Sequence, residues 1–211
     1  MSDNQRNWNL FALLLIDVQR DFWPESTAKS FPHFPTNVSR LLDLCRTENI
    51  EVVHLRASFM PDMSDWMLRY KLGGHIPCVQ GTPGIETLPF ALDKPGEVVL
   101  TKQTFDGFHN PKLLQHLRQN GKRFVLAAGL ITSTCVLFTA TSAAQSGFLS
   151  AVIEDCCADE PFAHEQTLDR YQLIFERTSV DLIPDRYPEW LAALNKLDEI
   201  AAQSDHNITP A

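Results

Sequence analysis

Positive charge is the minority sign on this chain. Lys and Arg number 18 against 26 Asp and Glu, a formal charge of −8 with neutral His. That balance lacks the basic footprint of a nucleic-acid binder, although a local basic pocket is still compatible with it. Long apolar runs are also missing. The longest, Leu10–Ile16, stops at Asp17, far short of the roughly 18 residues of a membrane span. The start carries no signal-peptide pattern. The five cysteines, Cys45, Cys78, Cys135, Cys156 and Cys157, are an odd count without a C-x-x-C pair. This argues against both a disulfide scaffold and a zinc ribbon. Phosphate-cradling glycine loops, internal repeats and low-complexity stretches are absent too. The expectation is one reduced, soluble, cytoplasmic domain over residues 1–211, its core at about 8–200 and a loose polar tail at 203–211.

What is present is alternation. Leu10–Ile16 is a continuous apolar run, the pattern of a strand buried on both faces. Val38, Leu41, Leu42 and Cys45 recur at helical spacing, with Thr36 or Asn37 as the cap. Strands follow at Glu51–Leu55, Glu97–Thr101, Arg123–Ala128, Phe148–Ile153 and Val180–Ile183. Helices are expected from Asn110-Pro111 to about Gln119, over Ser133–Ser146, over Glu160–Phe175 and around Trp190 to Ala201. Residues 56–93 are irregular, and a connection that long reads as a lid or pocket wall. The predicted fold class is α/β: a Rossmann-like, three-layer α/β/α sandwich with a six-stranded parallel sheet and right-handed crossovers.

In such a sheet, sites form outside the carboxyl ends of the strands. The first strand ends at Asp17, the third at Lys102, and the fourth runs through Gly129 to Cys135. A carboxylate, an ammonium and a thiol are the parts needed to attack a carbonyl and move a proton. Each alone has an ordinary reading: a turn aspartate, a solvated lysine, a small core cysteine. Thr132 or Ser133 as a cap would put Cys135 in a first helical turn, where the helix dipole favours a thiolate and free N–H groups can hold an oxyanion.

Taken in order, these segments resemble the isochorismatase-like cysteine hydrolases, the group of nicotinamidases, N-carbamoylsarcosine amidase and ureidoacrylate amidohydrolases. Asp17-Val18-Gln19-Arg20-Asp21-Phe22 resembles the segment with that family's catalytic aspartate. Gly81-Thr82-Pro83-Gly84 resembles its G-T-x-G loop, and Lys102 followed by Gly107-Phe108 its lysine segment. Gly129–Val136 (GLITSTCV) resembles its nucleophile turn. The likeness runs from about Leu10 to Ile183.

The resemblance implies catalytic roles for Asp17, Lys102 and Cys135. It further implies a cis Leu130–Ile131 bond and an oxyanion hole made by the amides of Ile131 and Cys135. The expected reaction is C–N hydrolysis of a small amide, carbamoyl or ureido compound, because isochorismatases proper, which cleave a vinyl ether, lack the cysteine. Nicotinamidases of this group bind a metal through D-x-H and another His after the second strand. His54 to Trp66 (HLRASFMPDMSDW) offers His54 and Asp62 without D-x-H, so neither metal nor cofactor is expected. Phe22, Arg56, Trp66 and Phe108 are the expected substrate contacts, with Arg56 as a carboxylate clamp or else a surface ion pair with an acid such as Asp62. Trp23, Phe59 and Phe105 belong to the same aromatic cluster in sequence, and His164 reads as a packing residue. A homo-oligomer, dimer or tetramer, is implied as well. The competing readings are a nucleotide-binding enzyme on the same sheet and a catalytically idle relative that acts through association.

Overall fold

The computed structural model describes residues 6–206. These fall into two compact units: residues 7–180, and residues 181–206 with Arg6. The first holds a six-stranded parallel sheet: β1 (Phe11–Ile16), β2 (Glu51–Ala57), β3 (Val98–Lys102), β4 (Phe124–Leu130), β5 (Leu149–Ala158) and β6 (Glu176–Thr178). The strand order is β3-β2-β1-β4-β5-β6, the doubly wound order, so the topological switch lies between β1 and β4. Every residue of β1 and β4 is buried, which is why both read as unbroken apolar runs.

Helices cover both faces of the sheet. Helix α2 (Phe34–Glu48) packs on β2 and β5. On the other face, Leu113 and Leu117 of α4 (Pro111–Gln119) and Ala140 and Ala143 of α5 (Leu137–Gln145) share a core with Leu14, Ile16, Val53 and Val125. Short helices α1 (Glu25–Ser30) and α3 (Leu68–Gly73) interrupt the connections, and α6 (Pro161–Arg170) joins β5 to β6. In α4, Pro111 opens the helix and the Asn110 side chain accepts from Lys112 N, as its sequence predicts. The second unit contains α7 (Ile183–His206). Among the described residues, no helix is long and apolar enough to cross a membrane.

Four sequence expectations are corrected. The last strand is Glu176–Thr178 rather than Val180–Ile183. The Val180 N–H turns to the Asp155 carboxylate at 2.9 Å, and Val180–Leu182 is a 3-10 turn. Strand β5 continues past Ile153 to Ala158, through charged residues that hold other groups: Glu154 pairs with Arg177, and Asp155 takes Val180. Helix α2 begins at Phe34, so Asn37 lies inside it and donates to the Asp155 carbonyl at 3.0 Å instead of capping. Residues 203–206 belong to α7, not to a loose tail, and the rest of that expected tail, 207–211, lies outside the described residues.

Candidate active site

Two residues at the switch point have unusual backbones. Gly129 stands at φ +125°, where an added Cβ would meet the Ile16 carbonyl oxygen at 2.0 Å. Strands β1 and β4 therefore approach through glycine, and the register of β4 on β5 shifts beside it. Asp17 follows β1 in the left-handed region at φ 49°. Its N–H still reaches the Leu55 carbonyl at 2.8 Å, while its side chain turns back over the end of β2 and accepts from Ala57 N at 2.8 Å. Gln19 fixes the same place: its Oε1 accepts from Ala57 N at 2.8 Å, and its Nε2 donates to the carbonyls of Ala57 at 2.9 Å and Ile85 at 2.8 Å.

Lys102, the last residue of β3, meets Asp17 over β2. Its Nζ lies 2.6 Å from Asp17 Oδ2. The same ammonium donates to Cys135 Sγ at 3.5 Å and to the Thr104 carbonyl at 2.9 Å. The lysine side chain is 2% exposed and the aspartate fully buried. Burial works against both charges. Asp17 is raised above the ordinary carboxylate range, with Lys102 opposing the rise. Burial also opposes the Lys102 charge, but Asp17 and Cys135 outweigh it and hold its pKa up.

Cys135 lies in a π-helical turn, Thr132–Val136, and not in the first turn of an ordinary helix. Val136 N bonds back to the Ile131 carbonyl at 3.3 Å. Neither Thr132 nor Ser133 caps it. Thr132 Oγ1 instead pairs with His164 Nδ1 at 2.8 Å, and Ser133 N donates to Asp159 Oδ2 at 2.8 Å. His164, whose ring also meets Phe31 edge-on, thus packs and hydrogen-bonds behind the turn. The Leu130–Ile131 peptide is cis. The turn does not hold a resting thiolate, contrary to the helix-start expectation: burial, then the Asp17 charge, push the Cys135 thiol up to about 12, and Lys102 only partly offsets them. The thiol rests protonated beside a carboxylate whose basicity is raised.

Asp17, Lys102, Ile131 and Cys135 open onto one cavity of about 140 Å³. Phe22 lines it, as its place in sequence predicts, and so do Phe59 and Phe105. Sequence reasoning missed Met67, Tyr70, Ile76 and Pro77, which the irregular stretch after β2 brings to the wall. Met67 and Tyr70 sit on and beside α3, a helix too short for its periodicity to show.

Three expected contacts lie elsewhere. Alternate residues of a strand face opposite ways, so Ala57 reaches the cavity and Arg56 points to the other face, where its Nη2 pairs with Asp93 Oδ1 at 2.5 Å. Trp66 packs behind the wall with Ala57, Phe59 and Ile76, and its indole N–H donates to the Met60 carbonyl at 2.7 Å. Phe108 turns into the core and meets Phe148 with ring centres 6.0 Å apart. Trp23, from the same cluster, stacks on Phe34.

The two residues that the sequence offered as metal ligands, His54 and Asp62, make separate contacts. His54 is buried against Glu97 at 2.9 Å, and Asp62 is exposed and accepts from Ser64 N. Among the described residues, no group of three or more His, Cys, Asp or Glu could hold a metal ion.

Fold and site together define a doubly wound α/β protein with a carboxylate, an ammonium and a thiol joined at the switch point. Comparison with known proteins agrees with that class. The Isochorismatase domain family matches residues 11–179. Maleamate amidohydrolase of Pseudomonas putida is 29% identical over 155 residues, covering 70% of this chain and 72% of its own length. Nicotinamidase 3 of Arabidopsis thaliana is 29% identical over 166 residues, covering 77% and 80%. The crystal structure of an isochorismatase family protein from Desulfovibrio vulgaris superposes with a TM-score of 0.76 at 27% identity, over 83% of this chain and 97% of that one. The chain belongs to the isochorismatase family, whose relatives found here include amidohydrolases.

Proposed function

We propose that this protein is a metal-independent cysteine amidohydrolase that cleaves the C–N bond of a small amide, carbamoyl or ureido compound. One observation carries the reading: a buried ammonium holds both a carboxylate and a thiol in the wall of a cavity. Cys135 Sγ attacks the carbonyl carbon while its proton passes to Asp17, so the neutral thiol becomes nucleophilic only as it reacts. The raised basicity of Asp17 suits it to take that proton. Lys102 balances the charge throughout, and the amides of Ile131 and Cys135 receive the developing oxyanion. Collapse breaks the C–N bond, Asp17 returns the proton to the departing nitrogen, and an acyl thioester remains on Cys135. Water, deprotonated by Asp17, then adds to the thioester; the acid product leaves and Cys135 recovers its proton.

The reading includes a small-molecule partner, with no nucleic acid and no membrane, and a homo-oligomeric, cytoplasmic enzyme. Light scattering and cell fractionation test the last two. The chemistry is tested by screening amides for ammonia release and by trapping the acyl-enzyme as a mass increase on Cys135. Cys135→Ala is expected to fold, to bind substrate and to form no adduct. Turnover surviving in Cys135→Ala removes the nucleophile. A parent protein whose Cys135 reacts with iodoacetamide no faster than its other cysteines supports the idle relative instead.

A further inference from the structure

The cavity has a chemical bias that the triad does not need. Beyond Asp17, Lys102, Thr104 and the nucleophile turn, its wall is apolar or aromatic throughout, Ala57, Met67, Ile76 and Pro77 with the rings of Phe22, Phe59, Tyr70 and Phe105, and the Tyr70 phenol is its one neutral polar group. Among the described residues that line it, Lys102 carries the single positive charge, and that charge is held by Asp17 at 2.6 Å. The Thr104 hydroxyl is turned away to the Asp106 carbonyl at 3.0 Å. Arg56, next in sequence to the lining Ala57, lies on the other face and is paired with Asp93. A substrate carboxylate here would be buried against rings and methyl groups without a cation to receive it, and an unpaired buried charge is strongly disfavoured. The volume is a second guide, to the part of the substrate that the cavity encloses. About 140 Å³ is close to an apolar cavity of about 150 Å³ that accepts one benzene ring.

Resting on the amidohydrolase reading, we infer that the substrate class is a neutral amide whose acyl part is a compact apolar group, one ring or a short branched chain, and that carboxylate-bearing amides are rejected. This separates the chain from its Pseudomonas relative, which is named for maleamate, itself a carboxylate-bearing amide.

Ammonia release from benzamide and 2-methylpropanamide, set against succinamic acid and N-carbamoylglycine, tests the inference. The neutral amides should exceed the acids by about 10²-fold or more in kcat/KM. A second arm needs no turnover: alkylation of Cys135 by iodoacetamide and by iodoacetate, each relative to its rate on the denatured chain. The neutral reagent should be favoured at least tenfold. Met67→Arg, which places a cation on the partly exposed side of the wall, should narrow both preferences about tenfold. Equal or better hydrolysis of the acids, or faster alkylation by iodoacetate, overturns the substrate class and leaves the hydrolase reading standing. A silent panel, with Cys135 no more reactive than the other cysteines, overturns the hydrolase reading and this inference with it.

Discussion

Replacing Lys102 by methionine removes a buried ammonium and keeps most of its volume, so the cost falls on Asp17. That carboxylate is fully buried and keeps its bond from Ala57 N, but it loses the partner at 2.6 Å. Breaking a buried pair from one side costs about 3–5 kcal/mol. The pH dependence follows from linkage. Burial already raises the Asp17 pKa, and Lys102 is the main force against that rise. Without it, Asp17 titrates in the folded variant well above its unfolded value of about 3.9. A group raised on folding contributes its full stability below the unfolded pKa and loses it as pH climbs toward the folded one. The deficit relative to the parent therefore grows as pH rises past the parent's Asp17 pKa, by at most about 1.36 kcal/mol per pH unit, toward the about 3–5 kcal/mol of a broken buried pair. Near neutrality that is a fall of very roughly 10 °C in melting temperature. Urea unfolding of parent and variant at the two pH values measures it, and adding Asp17→Asn to the variant should recover most of the loss. A deficit under about 1 kcal/mol, or one that does not grow between pH 5 and pH 7, would refute a buried ion pair at the centre of the site.

Asp17→Asn should lower turnover by about 10²–10⁴-fold while moving the Cys135 thiol down from about 12, because the carboxylate charge helps to push it up; thiolate absorbance during a pH titration reads the second effect, and an unmoved thiol would separate the two residues. Gly129→Ala should cost several kcal/mol or prevent folding, since its Cβ would fall 2.0 Å from the Ile16 carbonyl oxygen; near-parental urea stability would show that β1 and β4 do not approach as described. Activity should survive EDTA and dialysis, and a loss restored by zinc would overturn the metal-independent reading.

The candidate residues were legible because Asp17 and Lys102 stand where apolar runs end and Cys135 follows another within one turn, and a strand end in a parallel sheet has a known place. Asp17, Lys102 and Cys135 lie far apart in sequence, yet the strand order brings them together whatever the loops do. The cavity wall was not legible, because residues 56–93 carry no sustained period to assign a face. Arg56 shows how little is needed to misplace a contact. Its closeness to the site in sequence is real, but strand alternation gives the inner face to Ala57. Val180 misled differently: it is apolar because it is buried in a turn, and the Asp155 carboxylate takes its N–H before any strand can pair with it. The turn at Cys135 was read as an ordinary helix start because Thr132 and Ser133 are good caps; His164, a full strand and more away, takes the Thr132 hydroxyl instead, and Asp159 accepts from the Ser133 backbone N–H.

The backbone at Asp17 narrows the ways in which this site could change. At φ 49°, asparagine and aspartate are the side-chain-bearing residues most at ease, while glycine would loosen the turn and a branched residue would strain it. One exchange, aspartate to asparagine, therefore removes the carboxylate's negative charge while leaving the path of the chain almost untouched. Loss of chemistry and loss of architecture are separable at this position by a single route. On the proposed mechanism, an asparagine found there in a sister sequence would mark a protein that had kept its shape after giving up its reaction.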